Sequence, residues 1–226
     1  MGRYEFSFEP HVLPKRMLYV VLGLLLAHFL LALIHFQVYR LPWLLRQLFD
    51  LDQENNIPSW YSGTALFVTT LFIWLCAREK KAADDPWTRQ WYILAFAFFF
   101  LAIDEIAGIH ETFNTLITMS WAIPGGLLAC LGALILAPFL LKLHRRTAVL
   151  FALSGLVYFG GAVGMELLAA PLNSNSLRYY MMTLWEEGLE MLGVVLFLYA
   201  LLSYMGGEHA KKVELAAGLG RENTST

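Results

Sequence analysis

Seven carboxylates lie in segments that are apolar enough to span a membrane, and no Lys or Arg lies among them. An ionised acid at membrane depth costs several kcal/mol unless it is paired, so such residues indicate function by default. Without basic partners, most of these acids must be protonated, face water or bind a cation. They are Asp104, Glu105 and Glu111 in one segment, Glu166 in a second, and Glu186, Glu187 and Glu190 in a third.

Helical geometry places these acids at a common depth. A helix rises about 1.5 Å per residue, so Asp104 lies about 22 Å beyond Arg89, where its segment enters the membrane. Glu166 lies at a similar height in a segment of the same direction, and Glu190 lies near the start of a segment of the opposite direction. His35, in the first apolar segment, reaches the same layer. We therefore expect one polar site in the outer half of the membrane.

Helical rotation and ligand chemistry define the expected site. At about 100° per residue, a continuous third helix would place Asp104 and Glu111 on one face. Glu186 and Glu190 are four residues apart and share a face of the last helix. Carboxylates with one or two imidazoles suit Fe, Mn or Zn better than Ca, and the number of acids favours two ions. The expected metal ligands are Asp104, His110, Glu111, Glu166, Glu186, Glu190 and His35, and the expected general bases are Glu105 and Glu187.

Three hypotheses follow from the acids. The first is a metal-dependent enzyme, oxidative or hydrolytic, that acts on a lipid or other apolar substrate at the outer leaflet. The second is a carrier of cations or protons through an acid-lined pathway. The third is an accessory subunit of a larger complex, in which protonated carboxyl groups hydrogen-bond between helices. The chain lacks the Glu-x-x-His pairs of di-iron helix bundles, so no such motif supports the first hypothesis.

The elements that must position the acids are transmembrane helices. The chain of 226 residues is 58% hydrophobic, which is typical of a polytopic membrane protein. We predict an all-α bundle of six transmembrane helices in one domain, 1–205, followed by a polar tail, 206–226. The predicted spans are 16–37, 60–77, 89–116, 122–142, 147–170 and 179–205, with a segment on the outer membrane surface at 39–50.

The distribution of Lys and Arg orients this bundle. Thirteen of the 16 lie at one side of the predicted membrane, and only Arg40, Arg46 and Arg178 lie at the other. Because basic residues favour the cytoplasmic side, both termini are predicted to be cytoplasmic. This topology also explains the basic residues without a nucleic-acid partner. A homo-oligomer or a larger complex is compatible with the sequence.

Three short segments, NIPSWYS (56–62), DEIAGIHE (104–111) and EEGLE (186–190), carry a resemblance. Together they resemble a group of short bacterial multi-span membrane proteins that has no characterised function. The resemblance implies a location in the bacterial inner (cell) membrane. It implies no chemistry.

Overall fold

Six long helices make up most of the chain. The computed structural model describes residues 4–116, 119–206 and 213–217. Six of its helices are long and apolar enough to cross a membrane, so the predicted all-α, six-span architecture is confirmed. We call them spans one to six: Val12–Gln37, Ile57–Ala82, Thr88–Ala107, Ala122–Leu140, Arg145–Ala169 and Leu177–Gly206.

Span six is the central helix of the bundle. In its most apolar stretch 61% of the residues are buried, against 6% in span four, which lies at the edge. Spans one, two and five pack against span six, span two packs along span three, and span four contacts span five. Aromatic and aliphatic side chains fill the spaces between the helices, among them Val21, Leu66, Val194, Leu198, Trp91, Phe139, Phe151 and Phe197.

The two ends of the bundle carry different connections. Strands Tyr4–Phe8 and Val213–Ala217 pair antiparallel, so both terminal segments lie at one end, which we call the terminal end. No strand was predicted in the tail 206–226, and residues 207–212 and 218–226 of that tail lie outside the described residues. The connections after spans one, three and five lie at the opposite end. The first of them contains a short helix, Trp43–Gln47, within the predicted surface segment.

A capping box fixes the start of span two. The Asn56 side chain accepts a hydrogen bond from the Ser59 N–H at 3.1 Å, and the Ser59 Oγ accepts one from the Asn56 N–H at 3.2 Å. Asn56 is therefore the N-cap of span two, and Ser59 is its third helical residue. Pro58 fits the first turn because an N–H there has no partner within the helix.

Span three ends at Ala107 rather than at residue 116, because Gly108 breaks the helix. Gly108 is left-handed, with φ 60° and ψ 40°, a conformation that glycine adopts without steric cost. A separate helix, Ile109–Leu116, follows. The prediction of one continuous helix was wrong here, and the shared face of Asp104 and Glu111 that depended on it does not follow.

Span five contains a π-helical turn at Gly160–Met165, directly before Glu166. Such turns often occur at functional sites. At Gly161 a Cβ would lie 2.6 Å from the backbone oxygen of Glu186, and at Gly193 a Cβ would lie 2.8 Å from the backbone nitrogen of Tyr158. Spans five and six therefore approach each other backbone to backbone at the level of the acids.

Candidate functional site

Three acids of spans three and six form the centre of the candidate site. They are Glu105, Glu187 and Glu190, which we call the central acids. They are partly buried and near enough to one another to interact electrostatically. Ser62 of span two donates a hydrogen bond to Glu105, and Tyr158 of span five donates one to Glu190. Four spans therefore contribute side chains to one polar centre inside the bundle.

A second group of acids lies beside the first, toward the opposite end. Its members are Asp52, Glu166 and Glu186, which we call the outer acids. Glu186 interacts electrostatically with Glu166 and Asp52, and also with Glu187 and Glu190 of the central acids. The Ser120 hydroxyl donates to Oε1 of Glu166 at 3.4 Å, and the Tyr179 hydroxyl donates to Oδ1 of Asp52 at 2.7 Å. The outer acids therefore link spans five and six with the connection after span one.

Asp104 and His110 form a pair across the break in span three. The His110 backbone N–H donates to Oδ1 of Asp104 at 2.9 Å, and Nδ1 of the His110 ring lies 3.0 Å from Oδ2. The break at Gly108 makes this contact feasible, because it turns the chain back toward the last turn of span three. In metal centres a carboxylate in this position fixes an imidazole whose other nitrogen binds the ion.

The connection between spans one and two brings two further acids that the sequence analysis missed. Asp52 belongs to the outer acids through its bond to Tyr179. The Glu54 carboxylate packs against Gly108, where a Cβ would overlap it, and it interacts electrostatically with Glu105. The signal in the sequence was the spacing of Asp50, Asp52 and Glu54 at every second position near the end of this connection.

The two histidines of span one hold this connection in place. His28 is buried, its Nδ1 accepts the Leu51 N–H at 3.1 Å, and its Nε2 lies 3.2 Å from the backbone carbonyl oxygen of Tyr180. Nδ1 of His35 accepts the Leu41 N–H at 3.0 Å. The charged neighbours of His35 include Arg40 and Arg46. The structure therefore places His35 against the connection, where its acidic neighbour is Asp50.

The described acids interact electrostatically, but they are not arranged as the ligands of one metal ion. Among the described side chains, no three His, Cys, Asp or Glu residues lie close enough together to hold one ion. The side chain of Glu111, a predicted ligand, lies outside the described residues. Pairwise electrostatic interactions link the other predicted residues of spans three, five and six with one another and with two acids of the connection after span one. They are Asp104, Glu105, His110, Glu166, Glu186, Glu187 and Glu190, with Asp52 and Glu54.

Comparisons with known proteins give a family and no activity. A family model described as a domain of unknown function (DUF8692) matches residues 17–205, which include all six spans except the first residues of span one and the last of span six. No curated protein and no solved structure matches the chain significantly.

Proposed function

Because the chain belongs to the family described as a domain of unknown function (DUF8692), we propose its function from the geometry of the site alone. The protein is a membrane-embedded metalloprotein of the bacterial inner membrane, and its carboxylates and His110 bind divalent metal. One observation carries this proposal. The ionisable neighbours of Glu187 include four other carboxyl groups, those of Glu190, Glu105, Glu186 and Asp52.

The electrostatic cost of this arrangement favours a bound cation. Carboxylates a few ångströms apart in a low-dielectric layer repel strongly when they are ionised. Each proton taken up removes one negative charge, whereas a divalent ion compensates two and also fixes the geometry of its ligands. The central and outer acids form two adjoining groups, which suits two ions of Fe, Mn or Zn better than one. Ca is less suitable because the Asp104–His110 pair contributes an imidazole.

Binding of an ion requires the side chains to close around it. The acids come from four segments of the chain, and their backbones are held by close helix packing at Gly161 and by the bonds of the connection to span six. Ion binding would therefore require side-chain rotations of Glu186, Glu187 and Glu190 that bring their oxygens together. Glu111, on the helix that follows the break, is the further ligand that we propose.

The proposed activity is a metal-dependent reaction on a lipid or apolar molecule that enters from the outer leaflet. A divalent ion there would supply Lewis acidity, or redox chemistry if it is Fe or Mn. Glu105, which accepts a hydrogen bond from Ser62, and Glu187 would take a proton from a reacting water or substrate. The site lies near the opposite end of the bundle, where a substrate dissolved in one leaflet can reach it.

A second candidate function is proton or cation transport. Two features favour it: span three is broken at Gly108, and span five is interrupted by its π-helical turn. Interrupted helices line the ion sites of many carriers. The hydroxyl groups of Ser62 and Tyr158 extend the row of carboxyl groups across four spans, as in a proton relay.

A thermal titration separates the two functions. At a concentration one hundred times its Kd, a ligand stabilises the folded state by about 2.7 kcal/mol. For a chain of this size that corresponds to about 5–10 °C in melting temperature. We expect Mn²⁺, Fe²⁺ or Zn²⁺ to raise the melting temperature of chelator-treated protein, and Glu187→Gln to abolish the rise. An unchanged melting temperature with all three ions, together with proton or cation flux in liposomes, would favour the carrier.

A further inference from the structure

An open groove with a volume of about 680 Å³ lies at the terminal end, remote from the acids. It lies where the connection between spans four and five meets the last part of span six. Among the described residues, its lining combines three basic side chains with one aromatic and two apolar ones, and it contains no acid. The lining residues are His144, Arg145, Arg146, Val149, Leu150 and Tyr199.

The basic side chains of the groove are exposed, and a hydrogen bond fixes the orientation of one of them. Arg145 and Arg146 open span five, and both are exposed. Nη2 of Arg146 donates to the Tyr199 hydroxyl of span six at 3.3 Å. This bond holds one guanidinium across the groove. The first turn of span five adds backbone N–H groups, and the His144 side chain does not cap them.

Apolar side chains continue from the basic end of the groove along span five. Val149 and Leu153 lie one and two turns beyond Arg145 and Arg146, and they are 56% and 45% exposed. Leu141, in the connection before span five, is 84% exposed. A ligand that matches this surface has a negative head and an apolar tail, with the two parts separated along the axis of a transmembrane helix.

We propose that this groove binds an anionic phospholipid. The phosphate lies between the guanidinium groups of Arg145 and Arg146, and the acyl chains run along Val149 and Leu153. Arg binds phosphate through two parallel hydrogen bonds, and basic pockets between transmembrane helices bind anionic headgroups. Tyr199 is a positioning residue, because it fixes the guanidinium of Arg146 before the lipid arrives. This site is independent of the acids and of the function proposed for them.

The test counts lipids on the intact, purified protein. Native mass spectrometry with phosphatidylglycerol and phosphatidylcholine measures the affinity for each. We expect phosphatidylglycerol to bind more tightly, and Arg145→Gln/Arg146→Gln to weaken it about thirtyfold, since each basic residue near a membrane surface contributes about fivefold. Tyr199→Phe should weaken it about two- to tenfold, because the orienting hydrogen bond is lost.

A charge-matched control distinguishes a specific lipid site from general electrostatic attraction between anionic lipid and basic residues. Arg78→Gln/Lys81→Gln removes two exposed positive charges that the sequence places at the same end, outside the groove. We expect it to retain the affinity of the wild-type protein for phosphatidylglycerol. Equal losses in both double variants would overturn the proposal, as would equal binding of the two lipids by the wild-type protein. Displacement of the lipid by millimolar inorganic phosphate would also overturn it, because the site would then bind the free ion.

Discussion

Gly161 is the position where one added methyl group should disturb the candidate site most. In Gly161→Ala the new Cβ would lie 2.6 Å from the backbone oxygen of Glu186 and 3.1 Å from Cγ of Glu190. Overpacking of this kind costs about 1–3 kcal/mol. A backbone atom cannot rotate away, so we expect the upper part of this range. Ala loses less backbone entropy than Gly when the helix forms, and this offsets about 0.5–1 kcal/mol of the loss in stability.

The net loss is therefore about 2 kcal/mol, which corresponds to about 4–8 °C in melting temperature. Gly160→Ala is the matched control, since a Cβ at Gly160 meets nothing within 4 Å. That variant should melt at or slightly above the wild-type temperature. Thermal unfolding in detergent measures both. If the two variants melt together, spans five and six do not pack through Gly161, and the positions proposed for Glu186 and Glu190 are wrong.

Three further predictions concern the break in span three, the histidine pair and the topology. Gly108→Ala should destabilise the protein by about 1–2 kcal/mol, because Gly108 is left-handed; denaturant unfolding measures this, and an unchanged midpoint would contradict the break. Asp104→Asn should weaken metal binding about 10–100-fold by releasing the His110 ring, as measured by competition with a chelator; unchanged affinity would remove the pair from the site. A reporter fused after Thr226 should be cytoplasmic and one inserted at 171–176 external, and the reverse labelling would refute the orientation.

The architecture was predictable because each span carries its own signal. Twenty or so apolar residues must form a helix in lipid, where every backbone N–H and C=O needs a partner within the segment. The acids in those helices could be placed in depth from rise alone. The Glu166 carboxyl group interacts electrostatically with Glu186, and that of Asp104 with Glu190, which the expected common depth allows.

Rotation about the helix axis was less predictable than depth. The angle about the helix axis between the side chains of Asp104 and Glu111 depends on the backbone of every residue between them. The left-handed Gly108 ends the helix, so this angle cannot be calculated from the helical period. Gly108 in the middle of an apolar segment was compatible with a continuous helix, since isolated glycines are common in transmembrane helices. The π-helical turn at Gly160–Met165 shifts side-chain directions in a similar way and has no sequence signature of its own.

Tertiary contacts outside the spans were the hardest to predict. His35 shares the depth of the acids, yet its Nδ1 accepts the Leu41 N–H. The depth of a residue in the membrane does not determine whether its side chain faces the acids or another part of the bundle. Asp52 and Glu54 lie in a connection, so neither a helical period nor a membrane depth applied to them. Their place in the site follows from the bond of Tyr179 to Asp52 and from the space that Gly108 leaves for Glu54.

The metal content of the purified protein distinguishes a metal site from a group of protonated acids. Inductively coupled plasma mass spectrometry of protein prepared without chelators should find one to two equivalents of Fe, Mn or Zn. Glu190→Gln keeps the shape of the side chain and removes its charge, so it should lose most of the metal. Glu79→Gln, an exposed acid of span two outside the site, should retain it. Far less than one equivalent in the wild-type protein, or equal metal in all three proteins, would contradict the account.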